Sequence, residues 1–384
     1  MRLADATNIE DLRTIARRRL PRAVFEFVDR GVEDEIALAN NRAAFERIRL
    51  KPRYFRDVAA RSLRTSLFGA GRRSPLVAAP TGSAGLLWHD GERELARACG
   101  ARGVPFAVSN YSLDSLERIA AATDGAVWFQ VYIWPDREIS LALVDRAAAA
   151  GCEALIVTVD SVVPANREYN RRNGFTHPYR LSRRNAVDMF THPGWLLRVM
   201  LRKWLSSGLP RFENFPPAVL EEMRRTGVAV KAAQDLAWRD LEILRDRWPG
   251  RLLVKGILDP ADAGIAVGLG ADGIVLSNHG GRTVDCFPAP IEMLPAVRDA
   301  VGDRAAILVD SGIRRGSDVC KALALGADAV LLGRSLLYGV AAGGRDGADR
   351  ALAMIEEETL RTMALIGQPG IAGLGEAVLS PPAS

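Results

Sequence analysis

In the nine residues 277–285 (SNHGGRTVD), a candidate base, His279, stands three positions before a guanidinium, Arg282, with two glycines between them. The apolar run 273–276 just before them reads as a buried strand, so both side chains are expected at a strand's carboxyl end. An imidazole there can take a proton from a bound molecule, and an arginine can clamp a carboxylate through paired hydrogen bonds. Gly280 and Gly281 carry no side chains, which reads as room for a flat ligand against the backbone. An isolated motif of this kind also fits a strand followed by a solvated turn. The functional reading therefore needs other strands to deliver matching chemistry to the same place.

Lys255, in LLVKG, is a cation in an otherwise apolar strand and needs an anionic partner, supplied by a Schiff base or by an anionic cofactor. Asp160 is placed to pair with His279, raising its basicity and fixing its tautomer. Of the four histidines, only His279 ends a core strand; His89, His177 and His192 read as surface or structural. Gly312 and Gly333 leave backbone N–H groups open, and Arg314 and Arg334 add forked cations nearby, the elements of a phosphate cradle. The bland alternative is that these glycines serve tight turns.

Elements that could position these groups follow a regular alternation. Short apolar runs at 76–79, 105–108, 127–131, 155–159, 252–254, 274–276, 307–309 and 330–332 are expected as strands. Helix-like stretches at 90–102, 113–122, 137–150, 260–269, 291–301 and 316–325 separate most of them. Continuous apolar runs suit parallel strands covered on both faces, and eight in alternation with helices predict an α/β TIM (β/α)8 barrel. No GxGxxG follows the first run, which disfavours a dinucleotide fold. The strand ends then read Pro80-Thr81-Gly82, Ser109, Gln130 with Tyr132, Thr158 with Asp160, Lys255, Ser277 to His279, Asp310 to Arg314, and Gly333-Arg334. Polar groups thus gather where such barrels carry their chemistry.

The expected organisation is an N-terminal helical cap and lead-in (1–75), the barrel (76–365) with a long insertion after strand four (161–235), and a tail (366–384). Residues 7–19 read as a helix with a Thr7/Glu10 capping box, followed by a second helix opened by Pro21 and ending near Gly31. Within the insertion, 193–205 reads as an amphipathic helix with Leu197, Met200, Leu201 and Trp204 together, two tryptophans and two arginines one turn apart. That pattern suits a membrane interface and equally a helix packed on the barrel or on another subunit.

The net charge of +5 is uneven. Nine basic residues against Asp188 alone give 170–212 a charge of +8 and leave −3 for the rest, so nucleic-acid binding is disfavoured. At 48% hydrophobic and 25% charged residues, the chain has the composition of a folded domain, which excludes general disorder. Four scattered cysteines without a CxxC indicate neither a disulfide framework nor a zinc site, and no metal is expected. No signal peptide or spanning segment is read, so the expected location is cytoplasmic, peripheral on the inner face of the cell membrane.

SNHGGRTVD, WFQVY at 128–132, LLVKGIL at 252–258 and the long stretch 309–339 resemble the FMN-dependent L-2-hydroxy acid oxidase and dehydrogenase family, most nearly its mandelate dehydrogenases. The resemblance runs from about Leu20 to Leu365. It implies FMN as cofactor, a homotetramer, and oxidation of a mandelate-like or medium aliphatic 2-hydroxy acid to the 2-oxo acid. Electrons would pass to a quinone or another acceptor, with the 180–212 stretch docking on a membrane. It implies His279 as base, Asp160 as its support, Tyr132 on the substrate hydroxyl, and Arg167 and Arg282 on the substrate carboxylate. Lys255 would lie near the flavin N1–C2 edge. Pro80, Thr81, Gly82, Ser109, Gln130, Thr158 and Ser277 would contact the flavin, and Asp310, Gly312, Arg314, Gly333 and Arg334 would hold the ribityl phosphate. Two positions depart from the family pattern: Phe27 stands where a carboxylate-binding tyrosine is usual, and Thr283-Val284 where Gln-Leu is common. Gly82, alanine in many oxidases, leans towards a dehydrogenase. The alternatives are an oxygen-using oxidase releasing hydrogen peroxide, a flavin enzyme acting on an amine or modified peptide, which Phe27 motivates, and a non-enzymatic binding barrel.

Overall fold

The structure is a computed structural model that describes residues 1–175, 183–226 and 232–381. His177, Arg180 and the rest of 180–182 therefore lie outside the described residues. A short antiparallel hairpin, β1 (Thr65–Leu67) and β2 (Ala70–Arg72), precedes the barrel. The eight expected runs become β3 (Leu76–Ala78), β4 (Phe106–Ser109), β5 (Val127–Val131), β6 (Ala154–Thr158), β7 (Arg251–Ile257), β8 (Gly273–Leu276), β9 (Ala306–Val309) and β10 (Ala329–Leu332). All are parallel, and β10 pairs with β3 to close the barrel. This is the predicted TIM barrel. Its strands are buried on both faces because each faces the interior with one set of apolar residues and the surrounding helices with the other.

Inside the barrel, the Trp128 ring shares a cluster with the small side chains of Ala107, Ala154 and Ala329 and with Ile156, Leu253, Val275, Leu308 and Leu331. The hairpin seals the amino-terminal end. Its turn residues Phe68 and Gly69 both have positive φ (56° and 78°), the geometry of a tight hairpin turn, and the Phe68 ring reaches Trp128 at 6.0 Å. With that end sealed, ligand access is left to the carboxyl ends.

β7 runs past its apolar stretch because Thr158 and Lys255 stay in register, and the pairing with β8 shifts only between Lys255 and Ile257. Gly256 occupies the shift at φ +106°, where an added Cβ would lie 2.6 Å from the Asp160 Cβ. Only glycine allows the Asp160 side chain to sit that close to β7.

Three helices precede the hairpin: Ile9–Arg19, Arg22–Asp29 and Ile36–Arg47. The first is capped one residue later than expected. Asn8 accepts from the Asp11 N–H (2.9 Å), while the Asp11 carboxylate takes the Thr7 N–H and hydroxyl (2.8 Å each). The third helix starts against the motif loop, where Asp285 accepts from the N–H groups of Asp34 (3.1 Å) and Ala37 (2.9 Å).

The insertion contributes a helical run over 193–207 that contains a π turn at Leu196–Leu201. Trp195, Val199 and Lys203, spaced by four, form its buried face; the Trp195 Nε1–H donates to Leu86 O (2.7 Å) and Lys203 Nζ to Leu113 O (3.0 Å). Packing on the barrel thereby consumes Trp195 and Lys203, so of the two tryptophans expected to suit an interface Trp204 alone is exposed. Leu197, Leu201, Trp204 and Leu205 remain exposed. Among the described residues no helix is long and apolar enough to cross a membrane.

Candidate active site

A cavity of about 720 Å3 opens at the carboxyl ends of the strands, within the ~300–1,000 Å3 usual for small-ligand and cofactor sites. Phe27, Pro80, Thr81, Gly82, Ser109, Tyr132, Arg167, Lys255, His279, Arg282, Asp310, Gly312, Arg314, Gly333 and Arg334 line it. Of the remaining predicted residues, Asp160 and Ser277 lie directly behind His279 and Lys255, while Gln130 and Thr158 end β5 and β6.

His279 sits at φ +57°, a left-handed conformation held by its N–H donating to Ser277 Oγ at 3.0 Å. Its Nδ1 is 2.9 Å from Asp160 Oδ1. Burial would push the Asp160 carboxyl up, but the charges of His279 and Lys255 outweigh it and bring it to about 2. The pKa of His279 is lowered, because burial and the neighbouring Lys255 and Arg167 charges overcome the pull of Asp160. The pair therefore rests as carboxylate and neutral imidazole. An ionised Asp160 accepts the Nδ1–H, which leaves the lone pair on Nε2, the nitrogen a base needs.

Lys255 Nζ donates to Ser277 Oγ (2.8 Å) and lies 3.2 Å from Asp310 Oδ2. Burial alone would lower its pKa, yet the Asp310 and Asp160 carboxylates raise it. Its anionic partner is thus a protein carboxylate, which corrects the alternatives of a Schiff base or a cofactor anion; a lysine held protonated is no nucleophile. Asp310 also accepts from Ser311 Oγ (2.6 Å), which in turn accepts from the Gly280 N–H (2.9 Å).

Arg167 and Arg282 converge with no carboxylate within 4 Å among the described residues. Burial, then the Arg282 charge, lowers Arg167 to about 10. Two guanidinium groups that repel each other in one cavity are an electrostatic socket for an anion. Arg282 is braced from behind, donating to Phe27 O (2.5 Å) and Arg30 O (3.1 Å), and it stands 5.0 Å over the Phe27 ring. Phe27 therefore meets Arg282 through its ring and backbone and offers no hydroxyl to a ligand.

The motif glycines do other work than expected. A Cβ on Gly280 would lie 2.5 Å from Arg334 Nη1, and one on Gly281 would lie 2.7 Å from Leu38 N. Protein fills the place of a side chain at both positions, while the Gly280 backbone still lines the cavity. Arg334 likewise spends its side chain on the carbonyls of Val28 (2.8 Å), Gly280 (2.8 Å) and Arg30 (3.0 Å). Among the cavity residues that sequence reasoning missed is Tyr111. Tyr111 stands edge-on to Tyr132 at 5.5 Å, and its Cβ would be 2.8 Å from a Cβ on Gly82. Ser311, at φ +69°, ties the motif loop to β9. Reading two residues past Ser109 would have found Tyr111, whereas Ser311 was among the strand-end residues already read.

Unsatisfied groups at the mouth test whether FMN fits. Gln130 Oε1 accepts from Ser109 Oγ (3.2 Å) and the Asn110 N–H (3.3 Å), but Gln130 Nε2 and Thr158 Oγ1 are buried without partners. Leaving such groups unmet costs ~1–3 kcal/mol each, so the site is built for a polar ligand edge. Among the described residues the Arg314 guanidinium meets only its own neighbour's carbonyl (Ile313 O, 2.9 Å) and a ring, Tyr338, at 5.7 Å. Beside it the helix Arg334–Leu365 begins just after Gly333, presenting its first amides. An amide and hydroxyl for a ring edge, a carboxylate for hydroxyls and a cation with a helix start for phosphate are the donor set FMN requires.

The FMN-dependent dehydrogenase family model matches residues 16–381. The chain is 40% identical to (S)-mandelate dehydrogenase of Pseudomonas putida over 369 residues, covering 96% of this chain and 92% of that one. It is equally 40% identical to L-lactate dehydrogenase of Caulobacter sp. (strain K31) over 377 residues, 96% of this chain and 97% of the other. The crystal structure of a monotopic membrane protein, (S)-mandelate dehydrogenase, superposes with a TM-score of 0.91 at 39% identity, covering 98% of this chain and 99% of that one. The chain belongs to the family of FMN-dependent 2-hydroxy acid dehydrogenases, and FMN is its cofactor.

Proposed function

We propose that this enzyme oxidises an L-2-hydroxy acid with an aromatic or medium aliphatic side chain, at a membrane surface, and passes the electrons to a quinone. The observation that carries the chemistry is the neutral His279 held 2.9 Å from an ionised Asp160, in one cavity with two guanidinium groups that have no carboxylate partner. Arg167 and Arg282 receive the substrate carboxylate, which fixes the α-carbon and its hydroxyl beside Tyr132 and His279. His279 Nε2 takes the proton, and the resulting imidazolium is stabilised by Asp160. Tyr132, whose pKa burial raises, stays protonated and donates to the substrate oxygen as it becomes a carbonyl. Lys255, held protonated, offsets negative charge that accumulates on its side of the cavity. The oxidation releases two electrons and two protons; FMN, when bound, would accept the electron pair together with the proton that His279 does not take. Phe27, Gln130, Thr158, Ser277, Asp310 and the glycines at 82, 312 and 333 serve as walls and cofactor contacts. As an acceptor, Asp310 suits ribityl hydroxyls, while Arg314 and the amides after Gly333 suit the phosphate.

Val162, Val163, Ala165 and Phe27 give the cavity an apolar wall suited to such a side chain. The named relatives act on mandelate and on lactate. Exposed Leu197, Leu201, Trp204 and Leu205, with Arg198 and Arg202 beside them, support a membrane-facing surface, as does likeness to a monotopic membrane protein. The test is anaerobic: the yellow absorbance of the holoenzyme should bleach on adding (S)-mandelate and more slowly with L-lactate, then return faster with a quinone than with air. Persistent colour across the whole panel of 2-hydroxy acids would end the proposal.

A further inference from the structure

A second cavity, of about 390 Å3, shares no lining residue with the one at the barrel mouth. The end of the helix Ile9–Arg19 and Leu20 form one wall, Leu87 and Trp88 after β3 another, and residues 191–199 of the insertion the third. Arg18, Arg19 and Arg198 converge on it, with His192 at the same edge. None of the three guanidinium groups has a carboxylate within 4 Å among the described residues. Arg19 donates to Ala342 O (2.8 Å) and stands 4.7 Å over the Trp88 ring. The nearest carboxylate to His192 is Asp188, at 3.8 Å, and it already accepts from the Ala23 N–H. Basic residues in the last turn of a helix favour its negative end, which accounts for Arg18 and Arg19. It does not account for Arg198, which reaches the same hollow from a different element.

We propose that this cavity is an anion site that takes the phosphate of an acidic lipid headgroup. Three unpaired cations around a hollow of this size match a phosphate in charge, and the forked geometry of arginine suits its oxygens. The lipid as the source rests on the membrane-facing reading above. Leu197 is the chain neighbour of Arg198, and Leu201 and Trp204 continue the exposed apolar face from there. A molecule whose acyl chains meet that face would carry its phosphate beside the cavity. The apolar face would then supply general adhesion, and the cavity would select acidic lipids.

Flotation of the flavin-loaded protein with phosphatidylcholine vesicles, with and without phosphatidylglycerol, tests this. The native protein should prefer the acidic vesicles, and Arg19→Gln or Arg198→Gln should cut that preference roughly fivefold, the weight of one cation near an acidic surface. Arg202→Gln removes an equally exposed charge of the same helical run that does not line the cavity, and it should cost less than half as much. Equal losses for Arg198→Gln and Arg202→Gln would mean diffuse attraction and overturn the site. Glycerol 1-phosphate, titrated by calorimetry, separates the sources. Binding lost in Arg19→Gln, with no preference among vesicles, would overturn the lipid assignment in favour of a soluble phosphate. Flotation on phosphatidylcholine that no variant changes, with no phosphate binding, would leave membrane docking standing and remove the anion site. Flavin spectrum and turnover with a soluble dye should be native in all three variants.

Discussion

Burial drives the His279 pKa down although Asp160 lies 2.9 Å from Nδ1, and the same burial fails to raise Asp160 because His279 and Lys255 surround it. In the base role proposed for His279 the neutral form is the functional one, so activity should be present above its folded pKa and lost as pH falls through it. Since that pKa is depressed, the acid limb of flavin reduction should lie below the ordinary imidazole value of 6.5, with no second limb from Asp160 until about pH 2. Asp160→Asn keeps the shape but removes the charge that stabilises the imidazolium. It should retain flavin and slow reduction by ~10²–10⁴-fold, the usual worth of a positioned base. Stopped-flow reduction across pH reads both effects. A native limb above pH 6.5, or a rate in Asp160→Asn within threefold of native, would show that the pair does not work as a unit.

Among elements, the barrel strands were legible because each is a continuous apolar run, and the observed bounds of most fall within one or two residues of the expected ones. The hairpin was not legible. Its strands are three residues long, and their pattern carries no period. A packing role of the HGGR glycines was hidden for a similar reason: the Arg334 guanidinium and the backbone at Leu38, which fill the space beside them, come from distant parts of the chain. The candidate groups Asp160, Lys255 and His279 could be placed in one cavity because barrel strands deliver them from their ends, whereas Tyr111 reaches it through a turn. The helical run 193–207 was half legible. Its amphipathic pattern was visible, but the choice of Trp195 rather than Trp204 for burial is made by contact with the barrel. This has a practical consequence, since deleting 180–212 would strip the buried Trp195, Val199 and Phe212 out of the core and unsettle the barrel. Replacing Leu197, Trp204 and Leu205 by serine alters only exposed side chains. Each large side chain withdrawn from water is worth ~1.5–3 kcal/mol, so the triple variant should lower vesicle partitioning by more than tenfold. Its melting temperature and soluble-dye turnover should stay native. Undiminished partitioning would assign docking to another surface.

At the scale of the whole molecule, the two ends of the barrel have opposite tasks. The amino-terminal end is closed by Phe68 against Trp128 and by Arg251 standing 5.8 Å over the Phe68 ring. The carboxyl end keeps buried donors without partners at Gln130 and Thr158 and an unpaired Arg167 Nε. In the proposed site those groups would gain partners when cofactor and substrate arrive, so binding energy would enter the fold at one end. A ligand at a hundred times its dissociation constant adds ~2.7 kcal/mol to the stability of the state that binds it. Amide hydrogen exchange should therefore slow on adding FMN to the stripped protein at the ends of β5, β6 and β9 and at 277–282. The amides of β1 and β2 should exchange at the same rate with and without FMN. Uniform protection of both ends would mean that cofactor binding stabilises the barrel only globally. The contrast between the ends requires that the strand termini around Gln130 and Thr158 open locally when their partners are absent.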